Sequence, residues 1–337
     1  MLSICSKARR TTVASWLGAT AICLLGAMLL GAMSSNAQEA DYPSRPVRIV
    51  APIAAGGGMD LVARMLVYSL DQKFDAKFFV ENKPGAGGAI GAEIVAKSTP
   101  DGYTLLLADS SLTMDPFISA NIPFKVETSF SPIALVSAGA MVIVANPSLP
   151  VKNFTELVKY AKENPGKLQY ASPGRGTPHH FAMEYLKSVA GLDIVHVPYK
   201  GTAPGLIDVQ AGRVPLMIAA IGGIKSQIEA GVLRPLAVTV DKRTALLPDV
   251  PTIAETYPGF DVKIWHGIMG PAGIPQPIVD KLGAIIREAT KTPEFKSNIT
   301  NAGFEPFDGS AADLKALVGA ELIRWEKTAQ DAGITPE

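Results

Sequence analysis

Apolar, β-branched runs that alternate with amphipathic helical periods constrain this chain more than any other feature. "VRIVAPI", "KFFVENK", "TLLLAD", "MVIVANP", "LQYAS", "DIVHVPY", "VPLMIAA", "LRPLAVT" and "VKIWHGIMG" read as strands. Between them "DLVARMLVYSL", "IGAEIVAKS", "FTELVKYAKEN", "HHFAMEYLKSVAG", "APGLIDVQAG" and "GIKSQIEAG" carry the helical period. Nearly continuous apolar strands separated by helices predict parallel sheets covered on both faces, an α/β fold. The end of the chain, "PIVDKLGAIIREAT" and "LKALVGAELIRWEKTAQDAG", reads as helical only. Proline-rich punctuation at Asn146 to Asn153 and at Leu246 to Phe260 divides the chain into one lobe of residues 38–145 plus 258–337 and a second of residues 146–257.

The N-terminus predicts export. Lys7, Arg9 and Arg10 precede a long apolar run from about Val13 to Met33, and Ser35 and Ala37 are the small residues that a signal peptidase reads. Cleavage after Ala37 makes residues 1–37 a signal peptide and places the mature chain in the periplasm. An uncleaved anchor is the alternative, because the apolar run is long enough to span a bilayer. Cys23 follows Ala21-Ile22 and lacks the small neighbour that lipidation requires. Both cysteines, Cys5 and Cys23, fall in this segment, so the mature chain has no disulfide, thiol nucleophile or Cys-ligated metal. The leader holds three of the 31 basic residues and none of the 31 acidic ones, which leaves 28 against 31. With that balance and no basic cluster or interleaved aromatics, a phosphate backbone is a poor partner, and no nucleic acid is expected.

Three glycine turns stand between a strand and a helix. "GGGMDL", "GAGGAI" and "GRGTPH" all begin G-x-G, but Leu61, Ile90 and His179 occupy the place of the third glycine in a dinucleotide fingerprint, and none carries Gly-Lys-Ser/Thr. What remains is a cradle of backbone N–H groups at a helix N-terminus, which suits a small carboxylate. The plain alternative is a tight turn in which glycine permits positive φ. For "KPGAGGAIGAE" both readings stand. "AAGGGMD" and "ASPGRGTPHH" directly follow apolar strands, at the carboxyl ends where open α/β sheets bind ligands. One belongs to each lobe, so together they outline a cleft.

Other residues near these turns have plainer alternatives. Asp60 reads as the N-cap of the first helix, with an indirect part in placing a ligand. Arg175 is either a solvated loop arginine or a bidentate partner for a second carboxylate. His180 can point into the cleft, His266 beside Trp265 can form a wall, and His196 alternates as a satisfied sheet residue. No histidine pair has the zinc-helix spacing with glutamate, so neither metal nor cofactor is expected. G-x-S-x-G, S-x-x-K and H-E-x-x-H are absent; Asp109 and Asp115 form an acid pair that nothing in the sequence brings to glycosidase spacing.

"YPSRPVRIVAPIAAGGGMDLVAR", "VENKPGAGGAIGAEIVAKSTPDGYTLLLA", "NPSLPVKNFTELVKYAKENPGKLQYAS", "DIVHVPYKGTAPGLIDVQAGRV", "LRPLAVTVDKRTALLPDVPTIAE" and "GPAGIPQPIVDKL" resemble, in order, the tripartite tricarboxylate transporter receptors, the Bug-type periplasmic solute-binding proteins. The resemblance implies a type II periplasmic-binding-protein fold, with two α/β lobes joined by crossing strands and a ligand cleft between them. It implies that backbone amides and ordered waters hold a proximal carboxylate at two loops. These match Ala54, Ala55, Gly56, Gly57, Gly58 and Asp60 here, and Ser172, Gly174, Arg175, Gly176 and Thr177, with His180 just beyond. The implied partners are a large and a small integral membrane permease subunit, and the receptor itself is expected to be a monomer.

The departures from the family pattern fall where specificity would be set. Asp109-Ser110 stands where many members have Gly-Thr or Gly-Ser, Ala219-Ala220 where Asp-Asn is common, Arg175 for a frequent Asn, and His179 for an often small residue. Arg175, His180, Asp109, Ala219, Trp265 and His266 are therefore expected to read the distal end of the ligand. Arg175 points to a di- or tricarboxylate, and the alanines admit an aromatic one. Reversible capture is expected rather than catalysis; a sensor-accessory protein and a periplasmic enzyme are the alternatives.

Overall fold

The computed structural model describes residues 42–56, 58–74 and 77–336. The expected signal peptide, with Cys5, Cys23, Ser35 and Ala37, lies outside the described residues, and so does Gly57.

All nine strand-like runs form strands. The chain opens with β1 (Val47–Ala51), α1 (Gly58–Lys73), β2 (Phe78–Asn82), α2 (Ala89–Ala96) and β3 (Thr104–Asp109). Two short 3-10 turns, Ser110–Thr113 and Asp115–Phe117, lead to α3 (Val126–Ser129) and the long β4 (Phe130–Ala145). Then come α4 (Phe154–Glu163), β5 (Leu168–Ser172), α5 (Pro178–Ala190), β6 (Ile194–Pro198), α6 (Thr202–Gln210), β7 (Leu216–Ala220), α7 (Ile221–Glu229) and β8 (Arg234–Val238). The return leg is β9 (Lys263–Pro271), α8 (Gln276–Thr290), α9 (Pro293–Asn301), β10 (Glu305–Gly309) and α10 (Ala311–Ala332).

In one sheet β1 lies between β2 and β3, all parallel, and β3 pairs antiparallel with β9. In the other, β7 and β6 flank β5 in parallel. β4 belongs to both: residues from Phe130 to Ala140 pair with β9, whereas Met141 to Ala145 pair with β7 on one side and, from Val142 on, with β8 on the other. The partner thus changes between Ala140 and Met141, inside a continuous strand.

Three expectations need correction. The sheets are mixed rather than parallel, because the strands that carry the chain across and back, β4 and β9, run antiparallel to their neighbours. The tail is not helical only: β10 pairs with β4, and "EPFDG" escaped notice because a half-solvated edge strand tolerates proline, glycine and acids that a central strand does not. β4 begins at Phe130, well before "MVIVANP"; Pro132 and Ser137 interrupt its apolar pattern, and register shifts at Pro132/Ala134 and Leu135/Ser137 absorb the misfit.

The helix α10 stitches the core together. Ser310 and Asp313 form a capping box at its start and Gly333 ends it in the left-handed region. Leu314, Val318 and Leu322 pack with Trp265 of β9, and further along Trp325 meets Phe181 of α5 edge-on at 5.6 Å. Between these contacts Glu321, 2% exposed, accepts a hydrogen bond from Trp265 Nε1 at 2.9 Å and another from the Thr113 hydroxyl at 2.7 Å. The turn after β3 is thereby tied to β9 and α10. Among the described residues no helix is long and apolar enough to cross a membrane.

Burial pushes the Glu321 carboxyl up to about 7, against the donors that favour its charged form. A raised folded-state pKa means that the native state holds a proton the unfolded chain has released, so stability falls as pH rises from about 4.5 through 7. Glu321→Gln removes this dependence. The variant is expected to match wild type near pH 4.5 and to exceed it by about 1–3 kcal/mol at pH 8, measured by urea unfolding at both pH values. Parallel pH profiles would show that Glu321 is ionised in the fold.

Candidate functional site

Three turns at the carboxyl ends of β1, β2 and β3 converge. The first, after β1, rests on Asp60. This residue is the third of α1 rather than its N-cap, and its carboxylate reaches back to accept the Gly56 N–H at 2.8 Å. It also accepts from Asn82 Nδ2 at 2.9 Å and Arg64 Nε at 3.0 Å, and Asn82 in turn donates to the Ile53 carbonyl at 3.2 Å. Burial raises the Asp60 pKa, but the bonds from Arg64, Gly56 and Asn82 outweigh it and hold the carboxyl below its ordinary value. With Gly56 N–H spoken for, the N–H groups of Gly58, Met59 and Asp60 remain as first-turn donors without intrahelical partners. Ala54, Ala55, Gly56 and Gly58 are exposed around them.

The second turn follows β2. Gly85, Ala86, Gly87 and Gly88 have consecutive φ values of 129°, 48°, 67° and 110°. Ala86 carries a Cβ in this left-handed region, a strain of the kind that collects at binding sites. Gly91, one turn into α2, is packed so closely that a Cβ there would lie 2.9 Å from both the Lys83 carbonyl and Pro52 Cα. The first and second turns therefore touch through a glycine.

The third turn starts at Asp109, which caps the Ser110–Thr113 turn by accepting from the Ser111 N–H at 3.1 Å and from the Ser111 hydroxyl. The three turns enclose a cavity of about 350 Å³. Ile53, Ala54, Met59, Pro84, Gly85, Gly87, Gly88, Leu106, Leu112, Asp109, Ser111 and Asp115 line it. Burial pushes Asp109 up, and burial together with the Asp109 charge pushes Asp115 up to about 7.

The loop after β5 is engaged with itself. The Gly174 N–H donates to Ser172 Oγ at 3.2 Å, the Gly176 N–H to His180 Nδ1 at 3.2 Å, and the Thr177 hydroxyl to the Gly174 carbonyl at 2.8 Å. Thr177 also caps α5, whose first residue is Pro178. The loop meets the third turn directly: a Cβ on Gly176 would lie 2.5 Å from Ile118 Cδ1. Arg175 is exposed, and its Nη2 donates to the Thr335 carbonyl at 3.2 Å.

His180 packs its imidazole against its own loop and β6. Its ring stacks on His196 at 4.1 Å, His196 stacks on Tyr170 at 4.8 Å, and His196 Nε2 shares a 2.7 Å hydrogen bond with Ser172 Oγ. Burial lowers His180 to about 4 and His196 to about 3, so both are neutral at pH 7. A neutral ring is what lets His180 Nδ1 accept from Gly176. His179 is likewise lowered by burial to about 4, and neither of its ring nitrogens has a hydrogen-bond partner among the described residues.

Of the residues expected at the distal end, Asp109 lines the cavity. Ala219 is buried in the second sheet opposite Val142, inside a core cluster. Trp265 is packed in the first core with its N–H on Glu321. His266 shares a 3.0 Å hydrogen bond with Ser137, faces Phe304 edge-on and is lowered by burial to about 4. Ser110 is fully buried, and its hydroxyl has no partner among the described residues. None of these four lines the cavity. The Gly85–Gly88 turn, Ser111 and Asp115 do, and the only signal for them in the sequence was a glycine turn of undecided meaning and an acid six residues beyond Asp109.

Known proteins share this architecture. The family model described as "Tripartite tricarboxylate transporter family receptor" matches residues 62–334. The solved periplasmic binding protein BugD is 38% identical, with a TM-score of 0.71 over 88% of this chain and 100% of that one. R. palustris Rpa4515, solved with adipate, is 34% identical with a TM-score of 0.74 over 88% and 100% of the two chains. MatC from Rhodopseudomonas palustris, solved with bound malate, is 29% identical with a TM-score of 0.69 over 85% and 99%. The mixed α/β architecture is that of these periplasmic binding proteins, as the type II expectation held. With a family model matching from α1 to the C-terminal tail, the chain belongs to the tripartite tricarboxylate transporter receptor family.

Proposed function

We propose that this chain is a periplasmic receptor that captures a small organic carboxylate and hands it to a membrane permease made of a large and a small integral subunit. The observation that carries this reading is the cavity at the carboxyl ends of β1, β2 and β3, with the free donors of the α1 N-terminus at its mouth. The adipate and malate held by two relatives support the ligand class. Residues 1–37 act as the export signal, with cleavage after Ala37, and the mature monomer binds without turning its ligand over. The partly committed loop from Ser172 to Thr177 closes the cavity from the second lobe. Residues 38–145 plus 258–337 move against residues 146–257 about the crossing strands β4 and β9. Closure is stabilised only by a ligand that favours the closed form.

Arg175, exposed and engaged with Thr335, gives no support to a second ligand carboxylate. The test is a thermal-shift panel of organic acids, neutral sugars and metal ions on the mature protein. A carboxylate at a hundred times its Kd is expected to add about 2.7 kcal/mol, visible as a shift of several degrees. A panel in which sugars or metals shift the melt and no carboxylate does would overturn the proposal.

A further inference from the structure

The charges around the cavity are unbalanced. Its mouth carries the positive end of α1, but its inner wall carries two carboxyls and no basic residue. Asp115 is 7% exposed, and neither of its oxygens receives a hydrogen bond or an ion pair from a described residue. Asp109 Oδ1 is engaged with Ser111, while Oδ2 has no described donor. The nearby cations are committed elsewhere: Arg64 to Asp60, Lys83 to Glu81, Arg175 to the Thr335 carbonyl. Apart from Ser111 and the glycines the rest of the wall is apolar, with Ile53, Met59, Leu106 and Leu112. Two desolvated acids side by side are costly unless one is neutral or a cation joins them. A ligand bearing only carboxylates would bring further negative charge to this wall; a ligand bearing a cation would cancel what is there.

Resting on the carboxylate reading above, we propose that the ligand is a zwitterion: its carboxylate sits at the first-turn donors of α1, and a cationic nitrogen pairs with Asp109 and Asp115. The ligand class is thus an amino acid or a related ammonium carboxylate with a short apolar body. The carboxylate end is common to the family, and the acid pair selects the other end.

Calorimetric titration of the mature protein tests this with three matched sets built on butanoate, pentanoate and hexanoate. Each set comprises the α- and ω-amino acids, the dicarboxylate and the plain monocarboxylate. At pH 7.5 an amino acid is expected to bind at least about tenfold more tightly than the dicarboxylate of its length, since like charges in contact cost several kcal/mol. Asp115→Asn and Asp109→Asn, near-isosteric changes, should each erase that preference, read as the ratio of amino-acid to dicarboxylate affinity within one variant, so that a general change in binding cancels.

The pH dependence provides a readout in the unmodified protein. Burial, and after it the Asp109 charge, pushes Asp115 up to about 7. The competent ionised fraction, and with it the affinity for the amino acid, therefore rises roughly tenfold from pH 6 to pH 8. If dicarboxylates bind most tightly, and more so toward pH 6, Asp115 is a neutral donor to a second carboxylate; the zwitterion is then overturned and the carboxylate receptor stands. If no acid of any class binds while sugars do, both fall.

Discussion

An Asp60→Ala variant is expected to lose ligand affinity by about a hundredfold and to melt roughly 5–10 °C below wild type. The carboxylate is 3% exposed and gathers three donors from three places: Gly56 in the turn, Arg64 one helical turn on, and Asn82 at the end of β2. Alanine strands the Gly56 N–H and the Asn82 amide in a partly buried site, and losses of this kind run to about 2–4 kcal/mol. For a chain of this size each kcal/mol moves the melting point by a few degrees. The larger effect falls on binding, because a donor misplaced by about an ångström at a preorganised site costs about two orders of magnitude. Calorimetry with the hit from the organic-acid panel gives the affinity and a thermal melt the stability. A variant that binds like wild type would mean the turn holds its shape without the carboxylate.

Gly91→Val is expected to disable the site by another route. A Cβ at this position meets Pro52 Cα, Pro52 Cβ and the Lys83 carbonyl at 2.9, 2.8 and 2.9 Å, and two of those three atoms are backbone. Neither wall can yield without moving the cavity: Pro52 opens the first turn and Lys83 leads into the second. Overpacking of this kind costs about 1–3 kcal/mol, more than the gain in helix propensity returns. Affinity should drop at least tenfold, in line with the displaced walls. Gly319→Ala serves as the control. It adds a methyl to the middle of α10 where nothing lies within 4 Å, and should stabilise by about 0.5–1 kcal/mol without changing affinity. Wild-type binding by Gly91→Val would show that α2 can shift as a body without disturbing either turn.

The sequence made the strands legible wherever burial on both faces forced continuous apolar runs, as in "TLLLAD" and "VPLMIAA". It hid β10, whose residues face solvent along an edge, and the first half of β4, where Pro132 and Ser137 flank register shifts. The first glycine turn was legible because a strand, three glycines and a helix follow one another directly. The role of Asp60 was half legible: its place near the helix start was evident, but its reach back to Gly56 and across to Asn82 depends on β2 lying beside β1. Trp265, His266 and Ala219 lie within apolar strands and looked like walls, yet the pleat buries Trp265 and Ala219 in cores and His266 against Ser137. Asp115 shows the opposite failure. An acid beyond a strand looks like a solvated loop residue until the 3-10 turns after β3 fold it inward.

β4 also bears on how far such a receptor can be taken apart. Residues 146–257 cut out alone would leave β8 with no neighbour in its sheet and β7 with an open edge, because the strand between them is Met141 to Ala145. The remainder would keep a strand ending in five residues stripped of partners, an aggregation-prone edge. The halves are therefore not interchangeable parts. A chimera meant to graft one relative's selectivity onto another has to carry β4 whole, together with both surfaces it was fitted to.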